Sequence, residues 1–140
     1  MDIKVLASSS GGNCYLVDDG ITKILIDAGI PWKEIQRRLD YKTHEVSSAL
    51  ISHSHMDHCK SVKDAVKAGV DCYMSQETAD AIGVSGHRIK PVKALEQFRI
   101  GTWVILPFPT EHDVEGSLGF LLASDNGSKT LYLTDTAYSR

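Results

Sequence analysis

The stretch His53-Ser54-His55-Met56-Asp57-His58 puts three imidazoles and one carboxylate within six consecutive positions. These side chains share one chemistry: each offers a lone pair to a metal ion, and the combination suits zinc, and also manganese or iron. Buried polar groups need partners, and four side by side need a strong common one, for which a divalent cation is the simplest choice. The apolar run before the cluster reads as a short buried strand over Ala49 to Ser52, aimed so that the histidines emerge at the end of a sheet. Strand alternation carried on to His55 turns His53 and His55 to the same side. Asp57 and His58 then fall at a strand-to-helix junction, because a helical pattern begins at Ser61. The rival reading, a solvated His-rich turn, leaves the apolar strand behind the cluster without a purpose.

Two further polar signals lie downstream. Glu111-His112-Asp113 follows Pro107-Phe108-Pro109, a rigid exit from a strand, and Asp135 follows Leu131-Tyr132-Leu133-Thr134, a strand ending in a carboxylate. Each taken alone reads as a surface loop. With the His cluster, they supply acid and imidazole groups at strand ends, where a rigid scaffold commonly holds functional loops.

The elements that must position these groups can be read in order. Ile3 to Ala7, Cys14 to Val17 and Lys23 to Ile26 form an antiparallel meander, with Ser8 to Asn13 as a first turn and Asp19-Gly20 as a hairpin signal. Pro31 is placed for a helix start, and Trp32, Ile35, Gln36 and Leu39 share one helical face. Ser61 to Ala68 is a helix stopped by Gly69, Asp71 to Met74 a strand, and Gln76 to Ile82 a helix capped by Ser75 and stopped by Gly83. Arg88 to Val92, Thr102 to Leu106, Leu118 to Ala123 and Thr130 to Thr134 read as strands, the last two joined at Asp125-Asn126-Gly127. The expectation is a mixed sheet, or two sheets, with helices on the outer faces.

Composition sets limits. With 42% hydrophobic and 24% charged residues over 140 positions, residues 1–140 read as one globular domain. A net charge of −3 gives no global field toward nucleic acid or an anionic membrane. No apolar run is long enough to span a bilayer, and no signal peptide follows Met1, so a cytoplasmic protein with no membrane partner is expected. Three widely spaced cysteines (Cys14, Cys59, Cys72) fit a reducing compartment better than a disulfide framework. His44 and His87 sit in polar neighbourhoods and read as surface residues. Lys60, Lys63 and Lys67, at helical spacing, read as a solvated face.

The order of these motifs resembles the metallo-β-lactamase-fold hydrolases. The resemblance runs from the strand Ile24-Leu25-Ile26 ending in Asp27-Ala28-Gly29, through His53-x-His55-x-Asp57-His58, to His112 and then Asp135. The turn Ser8-Ser9-Ser10-Gly11-Gly12-Asn13-Cys14-Tyr15, together with His112-Asp113 and Gly119-Phe120, looks like the YycJ-like branch. The resemblance implies an α/β (α+β) fold, the metallo-β-lactamase-like αβ/βα sandwich. It implies two divalent ions per complete site, zinc first, with manganese or iron as the other candidates. His53, His55 and His112 would hold the first ion, Asp57 and His58 the second, and Asp135 would bridge them. Asp57 would also act catalytically, orienting the attacking hydroxide and taking its proton. Asp27 would lie behind the ligands and hold a ligand loop by hydrogen bonds.

The activity implied is hydrolysis by a metal-activated hydroxide, of a phosphodiester as in a nuclease, on nucleic acid or a small phosphodiester. The alternatives are hydrolysis of a small ester, thioester or lactone, and metal binding without turnover. Family chains run well past the bridging Asp, whereas this one ends at Arg140, five residues after Asp135. The expectation is therefore the N-terminal portion of the fold, lacking a downstream His ligand. Its inner sheet face would be left bare and apolar, inviting a homo-oligomer to cover it.

Overall fold

The computed structural model describes residues 2–9, 11–110, 116–133 and 136–139. The chain begins with β1 (Asp2–Ser9), β2 (Gly12–Asp18) and β3 (Lys23–Ile26), an antiparallel meander as the turn signals predict. After α1 (Trp32–Arg38) come β4 (Val46–Leu50), α2 (Met56–Cys59), α3 (Val62–Lys67), β5 (Asp71–Met74), α4 (Gln76–Ile82) and β6 (Ile89–Pro91). β3, β4, β5 and β6 pair in parallel, because each crossover carries a helix back over the sheet. The result is a six-stranded sheet ordered β1-β2-β3-β4-β5-β6. The remaining strands, β7 (Phe98–Ile100), β8 (Trp103–Pro109), β9 (Leu118–Ser124), β10 (Lys129–Leu133) and β11 (Thr136–Ser139), form an antiparallel second sheet ordered β11-β10-β9-β8-β7.

Alternation along the central strands divides the interior in two. Cys14, Leu16, Leu25, Ala49 and Ile51 face one side and pack with Ile35 and Leu39 near α1, Val62 and Ala65 of α3, and Ala79 of α4. Tyr15, Val17, Ile24, Ile26 and Leu50 face the other side and meet Trp103, Ile105, Phe120, Leu122 and Tyr132 of the second sheet. The run Ile24-Leu25-Ile26 is fully buried because both of its faces are covered. The helices thus share one outer face of the first sheet rather than flanking both sheets.

The expected bare inner face is not there. Five strands after β6 suffice to build a second sheet, and its inner residues cover those of the first. Apolar surface lies instead on the second sheet's far face, where Val104, Leu106, Phe108, Leu121, Ala123 and Leu131 are half-buried.

Pro107-Phe108-Pro109 also differs from its reading as an exit: these residues pair with Phe120, Gly119 and Leu118 as the last part of β8. The carbonyl of Pro107 accepts from Leu95 N on the side away from β9 (2.7 Å), so the ring nitrogens of both prolines face that unladdered side. Helix boundaries follow their signals. Ser75 Oγ accepts from Thr78 N at the start of α4, and Gly83 closes it in the left-handed conformation (φ 81°). Among the described residues no helix is long and apolar enough to cross a membrane.

Candidate metal centre

β4 ends at Leu50, one residue beyond which Ile51 N still bonds Tyr73 O of β5. The chain then leaves the sheet and bends at Ser54 and His55 before α2. Strand alternation therefore does not govern the histidines: His53 is buried and His55 is exposed. Their rings still meet edge to face, with centroids 5.0 Å apart. α2 is a single turn, closed by His58 N to His55 O (2.9 Å), and it turns Asp57 and His58 back toward His53. The His53 and His58 ring centroids lie 3.9 Å apart.

One ligand atom from each of His53, Asp57 and His58 lies within 4.8 Å of the others, close enough to share one ion. The structure thus brings together three of the four residues in the motif, and groups His53 with the pair assigned to a second ion. His55 borders the group. His112 and Asp135 lie outside the described residues.

Asp27 organises this cluster from below. It is fully buried and holds φ at 63°, a left-handed conformation that Asp tolerates better than most side chains. Its Oδ1 accepts from Ser52 N (2.7 Å), and its Oδ2 accepts from Ser52 Oγ (2.8 Å) and from the Tyr132 hydroxyl. His58 Nδ1 lies 2.6 Å from the same Oδ2. A carboxylate only accepts, so Nδ1 carries the proton and Nε2 keeps its lone pair. The Ser52 hydroxyl spends its proton on Asp27, so at 2.9 Å it accepts from His53 Nδ1. Both imidazoles are thereby set in the tautomer whose lone pair is on Nε2, the atom that could ligate a metal. This donor set of two oriented imidazoles and a half-exposed carboxylate fits a zinc-type ion.

Sequence reasoning did not tie several supporting residues to the cluster. Asn13 Nδ2 reaches Asp57 O (3.4 Å) and lies 3.3 Å from His58 Nε2. The first turn was legible as a motif, but nothing local tied Asn13 to a residue 45 positions away. Gly29 lets the strand-end loop touch the metal loop: a Cβ there would stand 1.7 Å from Asp57 O. Ala28 N donates to His58 O (2.9 Å) and Ser61 N to Ala28 O (2.8 Å), locking the two loops together. Ser52 and Tyr132 carried no local signal, since each reads as an ordinary strand residue.

The cysteines are free and buried. Burial, then the charges of Asp27 and Asp57, pushes the Cys59 thiol up to about 11, and its Sγ turns to Ser54 O. Burial, then Asp71, pushes Cys72 up to about 12. Both behave as packing thiols.

Comparison with known proteins agrees with this architecture. Residues 22–140 match the profile of the beta-lactamase superfamily domain. The chain is 30% identical over 145 residues to the exodeoxyribonuclease WalJ of Streptococcus pneumoniae, covering 96% of this chain and 54% of that one. It is 27% identical to the exodeoxyribonuclease YycJ of Bacillus anthracis, covering 99% and 55%. The chain spans about half the length of these curated relatives. Among solved structures, a metallo-β-lactamase of Cronobacter sakazakii superposes with a TM-score of 0.78 at 14% identity, over 93% of this chain and 58% of that one. The metallo-β-lactamase fold protein YhfI of Bacillus subtilis gives 0.74 at 16% identity, over 92% and 60%. With its two facing sheets, its helices on one flank and its His-Asp-His cluster at the sheet ends, the chain belongs to the beta-lactamase superfamily.

Proposed function

We propose that this chain carries the metal-holding part of a hydrolase that cleaves phosphodiester bonds, with nucleic acid as substrate. The observation that carries the reading is the convergence of His53, Asp57 and His58, with both imidazoles locked into a ligating tautomer. His53 and His58 would hold a divalent ion, zinc first, through Nε2. His55, His112 and Asp135 would complete a two-ion site. When bound, the ions would supply Lewis acidity and water acidified toward a pKa of ~7. Asp57 would accept the proton from the attacking water at Oδ2, the oxygen that faces His58 Nε2 at 3.4 Å. Asp27 and Ser52 would keep the imidazoles from rotating, so that no reorganisation accompanies the reaction.

The phosphodiester assignment draws support from the two exodeoxyribonuclease relatives and from the first turn, whose Asn13 reaches into the cluster. The free, buried cysteines suit a reducing cytoplasm. The test is a substrate screen on metal-loaded protein. Cleavage of bis-p-nitrophenyl phosphate and single-stranded DNA ahead of lactones and thioesters is expected. Robust lactonase or thioesterase activity with phosphodiesters untouched would overturn the assignment.

A further inference from the structure

Asn13 stands second in β2, paired with Ser8 of β1, and only 2% of it is exposed. Gly29 N donates to its carbonyl (2.9 Å), so its main chain is tied to the loop that follows β3. Its side chain enters the candidate metal centre. Nδ2 lies 3.2 Å from Ser9 O, 3.4 Å from Asp57 O, 3.5 Å from Asp57 Oδ2 and 3.3 Å from His58 Nε2. The two main-chain carbonyls can only accept, which fixes the amide with its nitrogen toward the cluster. His58 Nδ1 holds the ring proton against Asp27, so Nε2 accepts as well.

Four acceptors thus share the two protons of one amide. Every distance exceeds the roughly 2.9–3.0 Å usual for an N–H···O bond, as divided bonds do. The four acceptors differ in what an ion would do to them. Ser9 O, at the end of β1, and Asp57 O, in α2, remain acceptors whatever the centre holds. His58 Nε2 does not, because a lone pair given to a metal can no longer accept a proton. The N–H released from Nε2 has a place to go, since Asp57 offers both its carbonyl and Oδ2 within 3.5 Å of the same nitrogen.

We infer that Asn13 is a positioning residue that couples His58 to Asp57, a proposal that rests on the metal reading above. In the absence of an ion its amide guards the Nε2 lone pair and keeps the ring turned into the centre. When His58 ligates an ion, that N–H passes to Asp57 and holds the carboxylate and its loop more firmly. Ligation at one residue thereby steadies the other, with the tied main chain of Asn13 as the fixed point.

The test is nitrogen-15 NMR of the full chain, unaltered and as Asn13→Leu, without zinc and with excess zinc. Leucine fills much of the same space and donates nothing. Without zinc, the His58 Nε2 signal should move downfield in Asn13→Leu, as for an acceptor that has lost its donor. With zinc that difference should close, because Nε2 is then ligated in both chains. In the unaltered chain, zinc should shift the Asn13 side-chain N–H signals and slow their exchange with water about two- to tenfold, the scale of one net hydrogen bond. An Nε2 signal identical in the two zinc-free chains would overturn the proposal, and so would a difference that persists with zinc, the mark of a packing role. Zinc uptake that leaves the Asn13 amide unchanged would also overturn it; that comparison needs no variant and holds even if Asn13→Leu fails to fold. These outcomes leave the metal reading intact. A chain that takes up no zinc would overturn the metal reading and the coupling with it.

Discussion

His58 Nδ1 and Asp27 Oδ2 lie 2.6 Å apart, both residues sealed from solvent and 31 positions apart in sequence. The contact sets the tautomer of His58, and through Ser52 the same carboxylate sets that of His53. One buried acid therefore orients two imidazoles, and removing it should loosen the centre without removing a ligand.

Asp27→Asn tests this directly. Asn also tolerates the left-handed backbone at φ 63°, so the change isolates the hydrogen bonds from the fold. Zinc affinity, measured by chelator competition, should fall about 10–100-fold, the usual loss when a ligand's supporting partner is removed. Tyr132→Phe removes only one of the bonds to Oδ2 and should cost less. Unchanged affinity in Asp27→Asn would mean that the imidazoles are held by something else.

Gly29→Ala probes the approach of the two loops. The added methyl would meet the backbone of Asp57 and His58, which cannot swing aside as a flexible side chain could. Chemical denaturation should show a loss of about 3 kcal/mol or more, the upper range for overpacking. A near-neutral result would show that the loops separate without cost.

At the opposite end of the sandwich, Asp19 ties the β2–β3 turn to the second sheet. It accepts from Ser124 Oγ (2.6 Å), Thr102 Oγ1, Thr22 N (2.8 Å) and Ile21 N (3.0 Å). Desolvation raises its pKa, but these hydrogen bonds together outweigh it and hold the carboxyl well below the usual range. A depressed folded value adds stability above the unfolded carboxyl's pKa of ~3.9, and that stability is lost as pH falls through the folded value. Asp19→Asn should therefore destabilise by about 1–2 kcal/mol at pH ~7, a figure discounted for partial exposure, and by less at pH ~2.5. Urea titrations at the two pH values measure the difference; an equal loss at both would remove the carboxylate from the account.

Much of this arrangement is legible in the amino-acid sequence. The caps of α4, the meander, and the buried run Ile24-Leu25-Ile26 all rest on local chemistry, and local chemistry is what a sequence displays. The candidate metal motif stood out because four potential ligands, three imidazoles and a carboxylate, crowd into six positions. What stayed hidden was non-local. Phe98–Ile100 is too short to declare itself a strand, and it exists by pairing with Trp103–Ile105. Pro107 and Pro109 looked like strand breakers, because only the sheet shows that their nitrogens face an unladdered side. The exposure of His55 beside a buried His53 follows from a bend at Ser54, which alternation cannot anticipate. Asn13, Ser52 and Tyr132 support the centre from three different strands or their ends, and their common target appears only in three dimensions.

His53, Asp57 and His58 together should hold a divalent ion. Elemental analysis of protein purified without chelator, then titrated with zinc and with manganese, tests it most directly, run beside His58→Ala and His53→Ala. The unaltered chain should bind metal, and zinc affinity should be at least about tenfold weaker in either variant, as expected for removing a ligand. An unaltered chain that binds neither ion, or variants that bind metal as tightly as it does, would contradict the account.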